Sequence, residues 1–386
     1  MFLSIMVILC LERGRESIFV SLTDLDIVTF MYRCHLTSKG GEKMGEFTAL
    51  LQIEHGIIQA PMAGGAVTPQ LVAAVSQYGG LGSLASGYVQ PEKMRQQIRQ
   101  VKQLTSRPFQ VNVFVPEPIS ETKTEDVSFW TDRLPVIPEA QIIPNEEELW
   151  KDYEQKINIL QEEEVPVVSF TFACPNEQTI HHLKQKGIFL IGTATTKKEA
   201  LLLEEKGMDA IVLQGSEAGG HRGTFLHSKG DALQGLFCLI SDVRSVCHIP
   251  LIAAGGITDR TTMKAALALG ADAVQIGTRF LASQESAAAD VYKKALLQAE
   301  GSETAMTRLF SGKKARGIVN QWMEEERRNE DRVLPYPIQH VWTTPMRKAA
   351  AAAGNPEQMA LWAGQGVGRI HSILTVEEIM NELTQI

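Results

Sequence analysis

The sequence predicts an α/β fold, a (β/α)8 TIM barrel with an insertion after strand 3 and a C-terminal helical extension. Three observations carry that prediction. Eight short apolar runs recur, mostly 22 to 29 residues apart. They lack the in-out alternation of half-exposed strands, as parallel strands buried on both faces do. Helix-like segments fall between most of them, which is the order of repeated β/α units.

The runs are Ile57–Ala60, Gly80–Leu84, Phe109–Val113, Val165–Phe170, Ile188–Ile191, Ala210–Leu213, Pro250–Ala254 and Ala273–Ile276. Thr68-Pro69 ahead of Gln70–Gln77 reads as an N-cap followed by proline in the first turn, with Gly79 as the stop. Pro91–Leu104 carries Met94, Ile98, Val101 and Leu104 at helical spacing. Lys197–Lys206 ends at Gly207, and Arg260–Leu269 ends at Gly270. A doubly wound sheet is the weaker alternative, because no Gly-x-Gly-x-x-Gly follows the first strand.

Two gaps break the rhythm. Residues 115–150 are rich in proline and acids and read as an insertion, followed by a helix over Glu146–Glu164. Gly215–Gly235 is a long loop holding glycines and histidine, and such loops are more often functional than accidental. The barrel with its insertion is expected over 44–300 and the extension, packing over the barrel mouth, over 301–386. After the eighth strand Ala287–Glu300 is expected as a helix that ends the barrel, and Ile318–Arg328, Pro345–Ala353 and Glu357–Trp362 as helices of the extension. Phe310–Gly317 is expected as a basic turn and Ala363–Gly366 as a flexible one.

The first 43 residues stand apart. Phe2–Leu11 is apolar but too short to span a bilayer, and it lacks the basic start and clean cleavage site of a signal peptide. Lys39-Gly-Gly-Glu-Lys43 sits directly before Met44, and its codons would be purine-rich like a bacterial ribosome-binding site. Residues 1–43 are therefore expected to be translated upstream DNA, with Met44 the native start; the alternative is a genuine, poorly ordered extension.

Composition narrows the function classes. The 386 residues are 44% hydrophobic and 21% charged, which excludes disorder, collagen and a disulfide miniprotein. A net charge of −8 gives no nucleic-acid footprint, and no membrane segment is expected. Five cysteines without a C-x-x-C pair fit a reducing cytoplasm and give no metal site. The oligomeric state is open.

Barrel sites lie at the C-terminal strand ends, with phosphate commonly held after the seventh and eighth strands. Here those loops are Ala254-Gly-Gly-Ile-Thr258 and Gln275-Ile-Gly-Thr-Arg279. Gly255 and Gly256 allow close backbone approach to an anion, Gln275, Ile276, Gly277 and Thr278 form the second turn, and Arg279 could add charge. Packing alone could also demand two tight turns. A cofactor ending in one phosphate is the simplest ligand, which suggests FMN.

Gly219 and Gly220 would bring the sixth loop close to a ligand, and His221 would project over the mouth. Its ordinary pKa near 6.5 suits a general base or an anion holder. The other histidines, His340 and His227 among them, lack such a setting and read as structural or solvated. Ala60, Pro61 and Met62 after the first strand could face a flat ring, with Met62 a soft wall. The amides of Asn112 and Gln214 could pair with a pyrimidine edge; taken singly, each serves equally well to close a barrel layer. Cys174 has no activating base nearby in sequence and reads as structural.

Together these segments resemble the nitronate monooxygenase family. The likeness rests on Gln59–Met62, Gly79–Gly82, Asn112–Pro116, Gln214–Gly223, Ala253–Gly256, Gln275–Thr278 and Ser311–Arg316. It runs from about Phe47 to the C-terminus. The resemblance implies an FMN-bearing barrel that oxidises alkyl nitronates, or nitroalkanes, with O2 to carbonyl compounds and nitrite, without NAD(P)H. It places FMN on Asn112, Gln214, Gly219, Gly256 and Gln275–Thr278, and makes His221 the catalytic histidine. The rival is a flavin-dependent enoyl-acyl-carrier-protein reductase, which shares the Gly-Gly-His loop and would consume NAD(P)H. Gln214, Arg222 and the long insertion favour the first reading. A barrel of the inosine-monophosphate dehydrogenase kind would need a cysteine after the sixth strand, and none is there.

Overall fold

A computed structural model describes residues 44–136, 144–226 and 231–385. The expectations for residues 1–43 and for His227 lie outside the described residues. Eight parallel strands form one sheet: β1 (Ile57–Gln59), β2 (Gly82–Ala85), β3 (Phe109–Phe114), β4 (Val167–Thr171), β5 (Phe189–Ala194), β6 (Ala210–Gln214) and, after a two-residue strand β7 (Gly220–His221), β8 (Leu251–Ala254) and β9 (Ala273–Ile276). Their order is β1-β9-β8-β6-β5-β4-β3-β2. The ring closes where Ile58 bridges Leu81 in parallel, with the Gln59 amide donating to the Leu81 carbonyl at 3.0 Å. This is the predicted barrel, with strand ends shifted by at most three residues. The described residues from Phe47 onward pack as one unit.

The barrel has two apolar layers. Inside it, Ile58, Leu81, Val167, Ile191, Val212 and Ile252 meet Phe47, Leu51 and Ile53, which fill the bottom. Outside it, strand residues such as Val111, Leu190, Leu213 and Val274 pack on helical residues such as Leu71, Ile98, Leu203 and Leu239. Thr68 caps helix Pro69–Gln77 by accepting from the Leu71 amide, with Pro69 in the first turn. Thr196 and Asp259 open the helices Lys197–Glu205 and Arg260–Ala268 with reciprocal capping boxes. These caps end the loops sharply and so fix the strand ends at the mouth.

The extension departs from its expectation, because it is not purely helical. Strands β10 (Thr304–Thr307) and β11 (Ala315–Ile318) form an antiparallel hairpin, and β7 joins it: His221 pairs with Ala315, and Gly220 with Arg316. The expected basic turn over Phe310–Gly317 therefore ends in strand. A charged residue in a short strand left no apolar run to read; the Arg316 guanidinium bonds the carbonyls of Ser216 and Thr304. The helix expected from Ile318 starts at Gln321, after Asn320 as its cap. The helix expected over Glu357–Trp362 is a single 3-10 turn, Pro356–Gln358, and Trp362 then bridges Gly317 in extended backbone. The expected flexible turn at Ala363–Gly366 is a docked segment leading into a 3-10 helix, Gln365–Arg369.

The insertion after β3 contributes helix Thr124–Arg133 before helix Glu146–Glu162. Its Trp130 is fully buried against Trp322, Val333, Leu334 and Trp342 of the extension, and the indole donates to the Arg332 carbonyl at 2.7 Å. Insertion and extension thus share one core. No described helix is long and apolar enough to cross a membrane, and no metal-binding cluster is found among the described residues.

Candidate functional site

A deep cavity opens at the C-terminal strand ends. Of the residues named from sequence, Ala60, Pro61, Met62, Asn112, Gln214, Gly219, Gly220, His221, Gly255, Gly256, Gln275, Gly277 and Thr278 line it. Ile276 does not. Its side chain is fully buried in the layer between strands and helices, and only its carbonyl reaches the site's edge, accepting from the Ala60 amide at 2.9 Å. Alternation along β9 sends Gln275 in and Ile276 out. Arg279 also turns away, pairing with Glu382 at 2.6 Å and the Ser372 carbonyl at 3.1 Å.

One wall of the cavity, after β8 and β9, is built largely from backbone. Gly255 holds φ +122°, and a Cβ there would stand 2.9 Å from the Ala218 amide nitrogen. That turn therefore packs directly on the sixth loop, where only glycine fits. Beside it the Thr258 hydroxyl is buried and has no hydrogen-bond partner in the described protein. Such an orphan is costly unless a ligand meets it. Across the cavity the segment Trp362–Gly366 closes over the loop: the Gly364 amide donates to Thr278 Oγ1 at 3.0 Å and the Gln365 amide to the Glu217 carbonyl at 2.9 Å.

The two amides serve different ends. Gln214 spends both of its ends on the sixth loop, donating to the His221 carbonyl at 2.9 Å and accepting from the Gly223 amide at 2.8 Å. Asn112 donates to Ser169 Oγ at 3.0 Å and Thr171 Oγ1 at 3.1 Å. Arg222 holds the same loop from behind, bonding the Gly215 and Gln214 carbonyls.

His221 sits among aromatic rings, with Trp362 at 5.4 Å, Phe172 at 6.1 Å and Tyr336 at 6.3 Å between centroids. Phe172 adopts φ +80°, a conformation that costs about 1–3 kcal/mol and recurs at functional sites. His221 Nε2 lies 2.8 Å from Ser311 Oγ. Ser311 in turn donates to the Lys313 carbonyl at 3.0 Å. That assignment makes Nε2 the donor and leaves the lone pair on Nδ1. Burial, with the cations Lys313 and Arg347 adding to it, lowers the His221 pKa to about 3. The imidazole is neutral at physiological pH, in a field that opposes its protonation and favours anions.

Sequence reasoning missed a second cluster. His340, read as structural or solvated, lines the cavity and stacks on Tyr88 at 4.2 Å and 12°. Burial first, then Arg347 and His221, hold its pKa well below the usual value. Tyr88 and Arg347 line the cavity too. The available signal was helical spacing: His340, Thr343, Thr344 and Arg347 put polar groups on one face of helix Ile338–Ala352. Cys174 is absent from the cavity wall, and burial raises its thiol to about 11, so it is no nucleophile.

The two depressed histidines make stability depend on pH. Their folded pKa values lie below the unfolded value of about 6.5. The unfolded chain therefore binds more protons as pH falls below that value, and stability is lost from about pH 6.5 downward. Each histidine can contribute a slope of up to about 1.4 kcal/mol per pH unit. Denaturant midpoints at pH 7, 6 and 5 should fall steadily, and His340→Gln should flatten the fall. The same slope in that variant would assign the loss to other groups.

Comparison with known proteins identifies the family. The family described as nitronate monooxygenase matches residues 45–385. The probable nitronate monooxygenase of Bacillus subtilis (strain 168) is 47% identical over 342 residues, covering 89% of this chain and 99% of the relative. Among solved structures, nitroalkane oxidase from Streptomyces ansochromogenes aligns with a TM-score of 0.78 and 40% identity, over 87% of this chain and 96% of that one. FabK from Thermotoga maritima aligns at 0.66 and 32%, over 87% and 93%. With the family's match running through the barrel, its glycine-histidine loop and the docked extension, the chain belongs to the nitronate monooxygenase family, a family of oxidoreductases.

Proposed function

We propose that the protein oxidises alkyl nitronates, and nitroalkanes after deprotonation, with O2 to carbonyl compounds and nitrite, using FMN and no NAD(P)H, in the cytoplasm. The observation that carries this reading is a neutral histidine, held at the mouth in a cationic field, facing a glycine-built anion wall.

The cavity fits FMN. The orphan Thr258 hydroxyl and the Gly255–Gly256 turn line the cavity together and would meet a single phosphate there. Gly277 and Thr278 stand beside them, and Ala60–Met62 and Gln275 offer wall to a flat ring. Asn112 and Gln214 are partly engaged within the protein, so their part is to shape that wall. When bound, FMN would supply an electron acceptor that reacts onward with O2.

The chain's own residues do the rest. His221 Nδ1 takes the α-proton of a neutral nitroalkane, and Ser311 holds the ring in the tautomer that allows it. Lys313 and Arg347 favour the anion so formed. Phe172, Tyr336 and Trp362 exclude water around the imidazole.

The test is direct. Purified protein should be yellow, and it should consume oxygen and release nitrite with propionate 3-nitronate in the absence of NADH. Oxidation of NADH with an enoyl thioester, and no nitrite from the nitronate, would establish the enoyl reductase reading instead.

A further inference from the structure

Arg347 is a cation on the cavity wall without a counter-charge. Its Nε donates to Thr343 Oγ1 at 3.1 Å, and Nη2 donates to the His340 carbonyl at 2.9 Å and Thr344 Oγ1 at 2.8 Å, with His340 Nδ1 at 3.3 Å. All of these partners are neutral. The remaining nitrogen, Nη1, bonds no described residue, and no carboxylate among the described residues pairs with the guanidinium. Lys313 shows the contrast: its ammonium is matched by Glu117 at 2.6 Å.

A desolvated guanidinium without an anion is costly, so a fold that keeps one in a cavity gains from it when an anionic ligand is present. The neighbours cannot supply the charge. His340 is neutral, and burial pushes the Tyr88 phenol up to about 12. The Tyr88 hydroxyl faces that of Tyr336 without closing a hydrogen bond of good geometry, so it too is free to donate. Stacking on His340 holds the Tyr88 ring in place beside Arg347.

We propose that Arg347, with the Tyr88 hydroxyl, is the seat for the paired oxygens of the anionic substrate, and that it makes the enzyme prefer a nitronate to the neutral nitroalkane. The inference rests on the nitronate-oxidising reading. A nitronate presents two oxygens in one plane, as a carboxylate does, and the guanidinium edge matches that geometry. His340 is a positioning residue, tying ring and guanidinium together.

The experiment uses flavin-replete protein and nitrite as an unreactive planar anion, followed by the flavin absorbance. Arg347→Gln should weaken nitrite binding and raise the KM for ethyl nitronate by about 10- to 100-fold, the range of a charge-assisted hydrogen bond. Turnover of neutral nitroethane should also fall, because Arg347 favours the anion formed from it, but its KM should move much less than that of the nitronate. Arg347→Lys, which keeps the charge, should recover much of the nitrite affinity and guards against a folding defect. Unchanged nitrite affinity and nitronate KM in Arg347→Gln would overturn the proposal. So would a KM effect confined to a nitronate that bears a remote carboxylate, because the seat would then belong to that carboxylate. Should nitrite bind in an Arg347-dependent way while no nitronate is oxidised, the anion seat stands and the reaction assignment fails.

Discussion

His221→Asn should keep its flavin and lose about 10²–10⁴-fold in kcat/KM on neutral nitroalkanes, the usual contribution of a positioned base. Asparagine can still bond Ser311, so the loop should hold its shape. It cannot take a proton. On a preformed nitronate no α-proton has to move, so the loss there should be much smaller. Comparing the two substrates at equal flavin occupancy separates proton removal from anion holding. Equal losses on both would reassign His221 to holding the anion, and an unchanged rate on the nitroalkane would reject the base role.

Gly219→Ala should be the more damaging change to assembly. A Cβ at that position would stand 2.5 Å from the Ala363 carbonyl carbon and 2.5 Å from the Gly364 nitrogen. Both are backbone, so the whole segment from Ala363 must retreat. Overpacking of this kind costs about 1–3 kcal/mol or more. The retreat would also break the bond from Gly364 to Thr278 and open the anion wall. Flavin affinity should drop by at least about tenfold for each 1.4 kcal/mol so lost, with a lower melting temperature. Gly220→Ala is the control. Its φ is +75° but nothing lies within 4 Å of the added carbon, so only a backbone penalty of about 1 kcal/mol applies. If both variants bind flavin alike, close approach at Gly219 is not what holds the wall.

The barrel was legible because parallel buried strands leave continuous apolar runs, and caps such as Thr68-Pro69 mark their helices. The glycine turns were legible because only backbone can serve there. The extension was misread where the physics is less local. Ala315–Ile318 is a strand because β7 and β10 flank it, not because of its own residues. Ile276 was swept in with its neighbours, although alternation along β9 sends it outward. Tyr88 and His340 are some 250 residues apart in sequence, and only the docking of helix Ile338–Ala352 brings their rings together. No window of sequence contains that pair.

The pairing of His221 with Ala315 bears on how the protein is made. The imidazole is held by a hairpin that emerges from the ribosome some ninety residues later, and the wall beside it is closed by Gly364 and Gly366, later still. During synthesis the barrel strands can all be present while the reactive centre does not yet exist. A chain stopped after β9 would carry the Gly255–Gly256 turn and the histidine itself, but lack Gly277, Ser311 and Gly364. Loss of the last sixty residues would leave the hairpin but take His340, Arg347, Trp362 and Gly364 from the cavity wall, so such a chain should show no oxygen uptake.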